Sequence, residues 1–229
     1  MNLIPTRPPL RHGQKLSRAE FERRYDAMPE LKKAELIDGV VYMPSPVTND
    51  HGKPHARVIG WMWLYEMNTP GVTTCDNGSV RLDLKSMPQP DACLRIEETH
   101  GGQSSVGPDR YIEGAPELVA EVAVSSADFD LDVKLPLYRR NKAREYIVWR
   151  VEDKEIDWFT LRGGNYARLR PGADGLHHSK IFPGLWLDAA ALIAGDLKAV
   201  AAAVQQGTNS PEHAAFLQKL QRKAARKRP

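Results

Sequence analysis

An almost uninterrupted apolar run at residues 117–124 constrains this chain more than any other feature of its sequence. Such a run is typical of a β-strand covered on both faces, because a strand with one wet face alternates polar and apolar residues. A helical pattern follows over residues 128–140, with Leu131, Leu135 and Tyr138 spaced i, i+4, i+7, and residues 145–151 form a second apolar run. The order strand, helix, strand predicts a parallel pair joined by a right-handed crossover.

Shorter elements are predicted on both sides of this unit. Ser17 and Glu20 form a capping box that opens a helix to about residue 28, and Asp38-Gly39 is a hairpin turn between apolar runs. Asp188 should cap an alanine-rich helix that reaches residue 206, and Ser210 should cap a last helix. The remaining predicted elements are a helix over 55–67, strands over 72–75, 79–84 and 91–96, a surface loop over 97–110, and a hairpin of 155–161 and 166–169 turning at Gly163-Gly164.

The chain has 229 residues, of which 41% are hydrophobic and 27% charged, and this suits one α/β domain with short extensions. We divide it into a loose N-terminal arm (1–16), a folded domain (17–205) and a basic C-terminal helix (206–229). Residues 210–229 carry six basic residues against one acidic residue, although the whole chain has a net charge of only +3. Such a tail attracts polyanions such as nucleic acid, and a solvated helix without a partner is the equally open alternative.

The sequence gives no sign of export or membrane insertion. No apolar stretch approaches the ~20 residues that a membrane-spanning helix needs. The N-terminus has no signal-type apolar run, and Cys75 and Cys93 are expected to be reduced core thiols. We therefore expect a cytoplasmic protein without a membrane partner.

Two acidic residues stand where the chain should be rigid and dry. Asp91 begins a predicted strand after Pro90, and Glu121 lies inside the 117–124 run. A carboxylate is costly to bury without a compensating cation, so two of them on adjacent strands would make a site for a hard divalent metal ion. Lys134, on the helix after the second strand, could bring its ammonium to the same strand end. Two acids, a metal ion and an ammonium group suit hydrolysis of a phosphodiester.

Purely structural roles remain open for these residues. Glu121 could be an acid paired with an arginine, and Lys134 could be a solvated helix residue. Glu35 and Asp38 flank a turn and could be polar hairpin residues only.

His51 and His55 are spaced four residues apart, as metal-binding histidines on a helix are. Gly52 and Pro54 intervene, however, and the glutamate of the zinc-protease motif is absent. His55 could instead cap a helix, and we leave it out of the catalytic set.

The ordered set of short motifs in this chain resembles a known family. It is similar to the PD-(D/E)XK nuclease superfamily and, within it, to the bacterial Uma-type family of predicted restriction endonucleases, a domain of unknown function. The matching pieces, which span residues 17 to about 195, are Glu35-Leu-Ile-Asp-Gly39, Met43-Pro-Ser-Pro46, His55, Pro90-Asp91, Ala115-Pro-Glu-Leu-Val-Ala-Glu-Val122, Asp130, Lys134-Leu-Pro-Leu-Tyr138, Arg144-Glu-Tyr146 and Phe182-Pro-Gly-Leu185.

The resemblance implies a fold and a metal site. The implied fold is α/β (mixed α+β) and restriction-endonuclease-like, with a mixed central sheet flanked by helices. The implied ligands of Mg²⁺, for which Mn²⁺ could substitute, are Asp91, Glu121 and the carbonyl of Val122. Glu35 would be an additional acid near the metal.

One departure from the superfamily pattern concerns its lysine. That lysine normally stands two residues after the acid, where this chain has Ala123, and the resemblance implies that Lys134 substitutes from the helix.

The predicted function is a magnesium-dependent endonuclease acting on DNA. A homodimer is expected, because cutting both strands of a duplex favours twofold symmetry. The alternatives are a non-catalytic nucleic-acid-binding or mobile-element accessory module on the same fold, and a hydrolase of RNA or another phosphoester.

Overall fold

A computed structural model describes residues 8–44 and 46–227, and the first seven residues of the predicted arm lie outside the described residues. The first helix, α1 (Arg18–Tyr25), begins as predicted, because the Ser17 hydroxyl accepts a hydrogen bond from the Glu20 N–H at 3.3 Å. The predicted hairpin also forms, with strands β1 (Glu35–Ile37) and β2 (Val40–Tyr42).

The described part of the arm contacts this hairpin rather than lying free. The backbone N–H of Val41 donates to the carbonyl of Gln14 at 2.8 Å, and the side chain of Leu10 is buried. Residues 10–16 therefore pack as part of the domain edge.

Helix α2 (Asn49–Glu66) begins six residues before the predicted start at residue 55 and so includes Pro54. Pro54 lies in the second turn, where a proline removes one i→i−4 hydrogen bond and crowds the carbonyl of Asp50, yet the helix continues through it. The face that α2 buries has the spacing of an amphipathic helix and comprises Val58, Trp61, Met62 and Tyr65.

The remaining elements follow in chain order. They are β3 (Val72–Asp76), β4 (Val80–Arg81), β5 (Ala92–Ile96), a 3₁₀ turn (Glu98–His100), β6 (Ser105–Val106), β7 (Ile112–Glu113), β8 (Leu118–Ala123), a π-helix (Phe129–Lys134), α3 (Leu135–Arg140), β9 (Glu145–Arg150), β10 (Glu155–Arg162), β11 (Asn165–Arg168), β12 (His177–His178), β13 (Trp186–Leu187), α4 (Ala189–Ala194), α5 (Leu197–Thr208) and α6 (Pro211–Lys227).

Several predicted elements differ from these bounds, among them the surface loop expected over 97–110, which contains the 3₁₀ turn and β6. The strand expected over 79–84 is reduced to β4, and the helix expected over 128–140 begins as a π-helix. The single alanine-rich helix is split into α4 and α5, because Gly195 adopts a left-handed φ of 84° and the Asp196 side chain caps the next helix.

The central sheet is mixed and has six strands in the order β11-β10-β9-β8-β5-β3. Strands β8 and β9 are parallel, as the strand–helix–strand order predicts, whereas every other pair in this sheet is antiparallel. All six residues of β8 are buried, which confirms that it is covered on both faces. The predicted mixed sheet flanked by helices is therefore correct.

The two faces of the sheet carry separate hydrophobic clusters. On one face, α2 and the C-terminal helices pack against Leu94, Ala120 and Val122. The other face packs Val119 and Ala123 against the segment that contains α3. Within residues 8–44 and 46–227, we find no helix with the length and apolarity needed to cross a bilayer.

Candidate active site

The two predicted acids meet where β5 begins and β8 ends. Ala92 of β5 lies opposite Ala120 of β8, so Asp91 stands opposite Glu121 across the antiparallel pair. The Asp91 backbone N–H is 3.4 Å from Glu121 Oε2, and the Asp91 carboxylate accepts a hydrogen bond from the Val122 N–H at 2.9 Å. Because side chains alternate along a strand, both acids point to the sheet face that packs against α3. Asp91 and Glu121 are 4% and 2% exposed.

Lys134 reaches this point from the last position of the π-helix. Its ammonium nitrogen lies 3.0 Å from Glu121 Oε1, 3.1 Å from Glu35 Oε1 and 3.6 Å from Asp130 Oδ1. The π-helix is marked by the Leu135 N–H, which bonds the carbonyl of Asp130 five residues earlier. Such single turns are frequent at functional sites.

Glu35 belongs to the same cluster, although it lies on the separate hairpin. Besides its contact with Lys134, its Oε1 accepts a hydrogen bond from the Gln89 backbone N–H at 2.8 Å. Its side chain is buried, whereas Asp38 at the hairpin turn is exposed and pairs with Arg140. The two acids that flank this turn are therefore different: one faces the cluster and the other faces solvent.

Burial and charge pairing act in opposite directions on Glu121 and on Lys134. Burial raises the pKa of Glu121, and the negative charges of Asp91, Asp130 and Glu35 raise it further, against the lowering effect of Lys134. Burial lowers the pKa of Lys134, but attraction from Glu121, Glu35 and Asp130 outweighs it and leaves this pKa well above its usual value. Lys134 therefore remains a cation at neutral pH.

Asp91 is held by a second set of donors that the sequence did not reveal. Its Oδ1 lies 2.8 Å from the Lys33 ammonium, and its Oδ2 lies 3.1 Å from His51 Nε2. Burial raises the pKa of Asp91, yet the hydrogen bond from His51 and the charge of Lys33 outweigh burial and hold this pKa far below its usual range. Asp91 is therefore a carboxylate at neutral pH.

His51 and His55 do lie on one helix, contrary to the interruption expected from Gly52 and Pro54. Their rings are 5.6 Å apart, and His55 Nε2 lies 2.8 Å from the Asp91 carbonyl and 3.1 Å from Asp76 Oδ1. The i, i+4 spacing was the available signal for this arrangement, and the proline obscured it.

Two further residues support the cluster and were absent from the predicted site. The Tyr138 hydroxyl donates to Glu121 Oε1 at 3.0 Å, from one turn beyond Lys134. Asp130 accepts a hydrogen bond from the Ser126 hydroxyl at 2.9 Å and faces Lys134. Their i, i+4 spacing on either side of Lys134 placed them on its face of the helix, and this was the signal available from sequence.

The donor set fits a small, hard divalent cation. Asp91 and Glu121 supply carboxylate oxygens, which Mg²⁺ prefers, and the Val122 backbone faces the same carboxylate. Among the described residues, no three His, Cys, Asp or Glu side chains converge as a complete metal cage. A site with few protein ligands suits Mg²⁺, which usually keeps several waters and substrate oxygens in its coordination shell.

Two comparisons with known proteins give a match, one to a solved structure and one to a family. A solved structure described as "a putative nuclease belonging to DUF820", from Anabaena variabilis ATCC 29413, superposes with a TM-score of 0.54 at 11% identity, covering 75% of this chain and 97% of that one. At this identity the likeness shows the fold. No curated protein matches the chain. The sequence profile of the Uma2 family, described as "Putative restriction endonuclease", matches residues 18–190, so this chain belongs to the Uma2 family.

Proposed function

We propose that this protein is a magnesium-dependent endonuclease that hydrolyses phosphodiester bonds of DNA. The observation that carries the proposal is the meeting of Asp91, Glu121 and Lys134 beside the inner strands β5 and β8, where Glu121 contacts the other two at 3.4 and 3.0 Å. Asp91 and Glu121 would hold the cation through side-chain oxygens, with the Val122 carbonyl as a third ligand. Membership of a family of restriction-endonuclease-like proteins supports the same reaction class.

The residues around the acids have separate roles in this proposal. Lys134 holds the Glu121 carboxylate in a fixed position and supplies positive charge where negative charge develops on the phosphate. Glu35 is an auxiliary acid that keeps the Lys134 ammonium directed toward Glu121. A bound divalent cation supplies Lewis-acid polarisation of the phosphoryl oxygen and increases the acidity of the attacking water.

A supercoiled plasmid assay with Mg²⁺ or Mn²⁺ tests the proposal. We expect the wild type to nick or linearise the plasmid, and Asp91→Asn to lose this activity. Asp128→Asn is the matched control, because Asp128 is an exposed acid just before the π-helix and makes no capping hydrogen bond. Equal nicking by the wild type and Asp91→Asn, or none by the wild type, would reject the proposal.

We propose further that the active form is a homodimer. Two sites related by twofold symmetry can cut the two strands of a duplex. Sedimentation of the purified protein should then give a mass near twice that of one chain, and a monomer that still linearises plasmid would contradict this.

A basic face on α6 favours a second candidate, a nucleic-acid-binding module without catalysis. Phe216 and Leu220 anchor this helix in the core, and the 3₁₀ turn at the far end of β5 from Asp91 is its neighbour. The exposed basic residues of the helix are Lys219, Arg222, Lys223 and Arg226. This candidate predicts salt-sensitive DNA binding that survives Asp91→Asn but is lost in the double variant Lys219→Glu/Arg222→Glu.

A further inference from the structure

We propose that Lys33 is a displaceable internal cation, which holds the Asp91 carboxylate in the metal-free protein and must leave it when a divalent metal ion binds. This inference rests on the proposed metal site and adds a step to its loading.

Lys33 is the donor at one of the two carboxylate oxygens of Asp91. Its ammonium lies 2.8 Å from Asp91 Oδ1 and 3.2 Å from the side-chain oxygen of Asn77. The other carboxylate oxygen is held by His51 and by the backbone of Val122, which is fixed within β8. A metal ion that takes Oδ1 of Asp91 would therefore displace Lys33 from it.

Exposure separates Lys33 from the other ammonium of the cluster. The Lys33 side chain is 20% exposed, whereas that of Lys134 is 5% exposed and contacts three carboxylates. Lys33 also lies in the segment before β1 and outside any helix, on a long flexible stem. Lys33 can reach solvent without crossing the core, and Lys134 cannot.

The charge of the cluster favours the exchange. A bound cation favours ionisation of all four buried carboxyl groups, those of Glu35, Asp91, Glu121 and Asp130; in that state they face two ammonium groups, and the formal charge is −2. Replacing the single charge of Lys33 by a divalent cation lowers the excess negative charge. The same attraction means that Lys33 competes with the metal ion for Asp91.

Mn²⁺ binding to the full chain without DNA, followed by electron paramagnetic resonance, tests the competition. We expect Lys33→Met to bind Mn²⁺ about tenfold more tightly than the wild type, because it removes a partly exposed ion pair that the metal otherwise has to break. Lys33→Arg retains the charge and should bind like the wild type. Asp91→Asn should abolish specific binding in either background.

A second variant tests the same competition independently, in case Lys33→Met does not fold. Asn77 has a left-handed φ of 50°, so Asn77→Gly keeps the backbone while removing one of the two oxygens that hold the ammonium. We expect it to tighten Mn²⁺ binding in the same direction by a smaller factor.

The outcomes separate this inference from the proposed function. If the wild type and the Lys33 variants bind Mn²⁺ with equal affinity, or Lys33→Met binds less tightly, Lys33 is not a competing cation and only this inference is overturned. If no variant binds Mn²⁺ in a manner that depends on Asp91, the metal site itself is wrong and both fall.

Discussion

Two buried glutamates in neighbouring parallel strands, Glu121 in β8 and Glu145 in β9, differ in what compensates their burial. They are 2% and 0% exposed. Glu145 accepts hydrogen bonds from the Ser179 hydroxyl and the Lys180 backbone N–H, both at 2.7 Å, and these neutral donors come from one loop. Glu121 instead contacts Lys134 and lies opposite Asp91, so charged groups from separate elements converge on it.

The difference shows that burial of an acid is a poor indicator of function by itself. Burial raises the pKa of Glu145 to about 7 and also raises that of Glu121. A neutral, local donor set satisfies a structural acid, because it removes the cost of an unpaired polar group without requiring a counter-charge. A charged set gathered from distant segments is itself costly, and is typical of sites that bind or react.

The largest difference expected between Glu121 and Glu145 is in the proposed DNA cleavage. Glu121→Gln should lower the cleavage rate by ~10²–10³-fold or more, because it replaces a carboxyl oxygen proposed to bind the metal ion and removes the partner of Lys134. Glu145→Gln should cleave at close to the wild-type rate at pH 6, since its donors come from a structural loop. Similar losses in both variants would show that the two acids do not differ in role.

Removing Lys134 should cause the next largest effect, on stability as well as on rate. Lys134→Met leaves Glu35, Glu121 and Asp130 buried without their cation, and breaking a buried pair on one side typically costs about 3–5 kcal/mol of unfolding free energy. Urea unfolding measures the loss. The double variant Lys134→Met/Glu121→Gln should recover part of it, and a single variant as stable as the wild type would contradict the ion-paired cluster.

Glu145 itself should make stability depend on pH. Its pKa is raised from 4.5 to about 7, so the folded state keeps a proton that the unfolded state has released, and stability falls as pH rises through this range. Between pH 4.5 and 8, the wild type should lose about 2–3 kcal/mol relative to Glu145→Gln. Parallel pH profiles of the two proteins, measured by urea unfolding, would show that Glu145 is ionised in both states.

The smallest effect is expected at the exposed acid of the hairpin turn. Asp38 is paired with Arg140 at the surface, and exposed ion pairs contribute less than about 1 kcal/mol. Asp38→Asn also suits the left-handed φ of 51° at this position. Thermal unfolding and plasmid cleavage should both stay near wild type, and a large loss of cleavage would place Asp38 with Glu35 in the site.

Much of the central fold could be predicted from local pattern. The apolar runs that became β8 and β9, with a helix between them, fix a parallel pair, because few topologies can connect them. The break at Gly195 and the length of α2 could not be predicted in this way. Burial of Trp61 and Tyr65 in the core compensates for the backbone hydrogen bond that Pro54 cannot donate. Local helix propensity does not include this tertiary contribution.

The site was also predictable only in part, because tertiary contacts cannot be deduced from local sequence pattern. Asp91 and Glu121 were detectable because an acid conflicts with an apolar strand, and the structure brings Glu35 and Lys134 to them. Lys33 was missed, since it does not conflict with its local sequence, and His51 was set aside because Gly52 and Pro54 predicted an interruption of the helix. Their role depends on tertiary contacts with Asp91, and those contacts join segments 58 and 40 residues apart.

The π-helix ties the position of Lys134 to the number of residues in that turn. Replacing this wide turn by regular α-helix with the same number of residues would rotate the later helical residues by about 100° around the axis. The Lys134 ammonium would then point away from Glu121, although the sequence would still contain every residue of the cluster. Among relatives that keep this wide turn, constant spacing between Asp130 and Lys134 would be the evolutionary trace of this geometry.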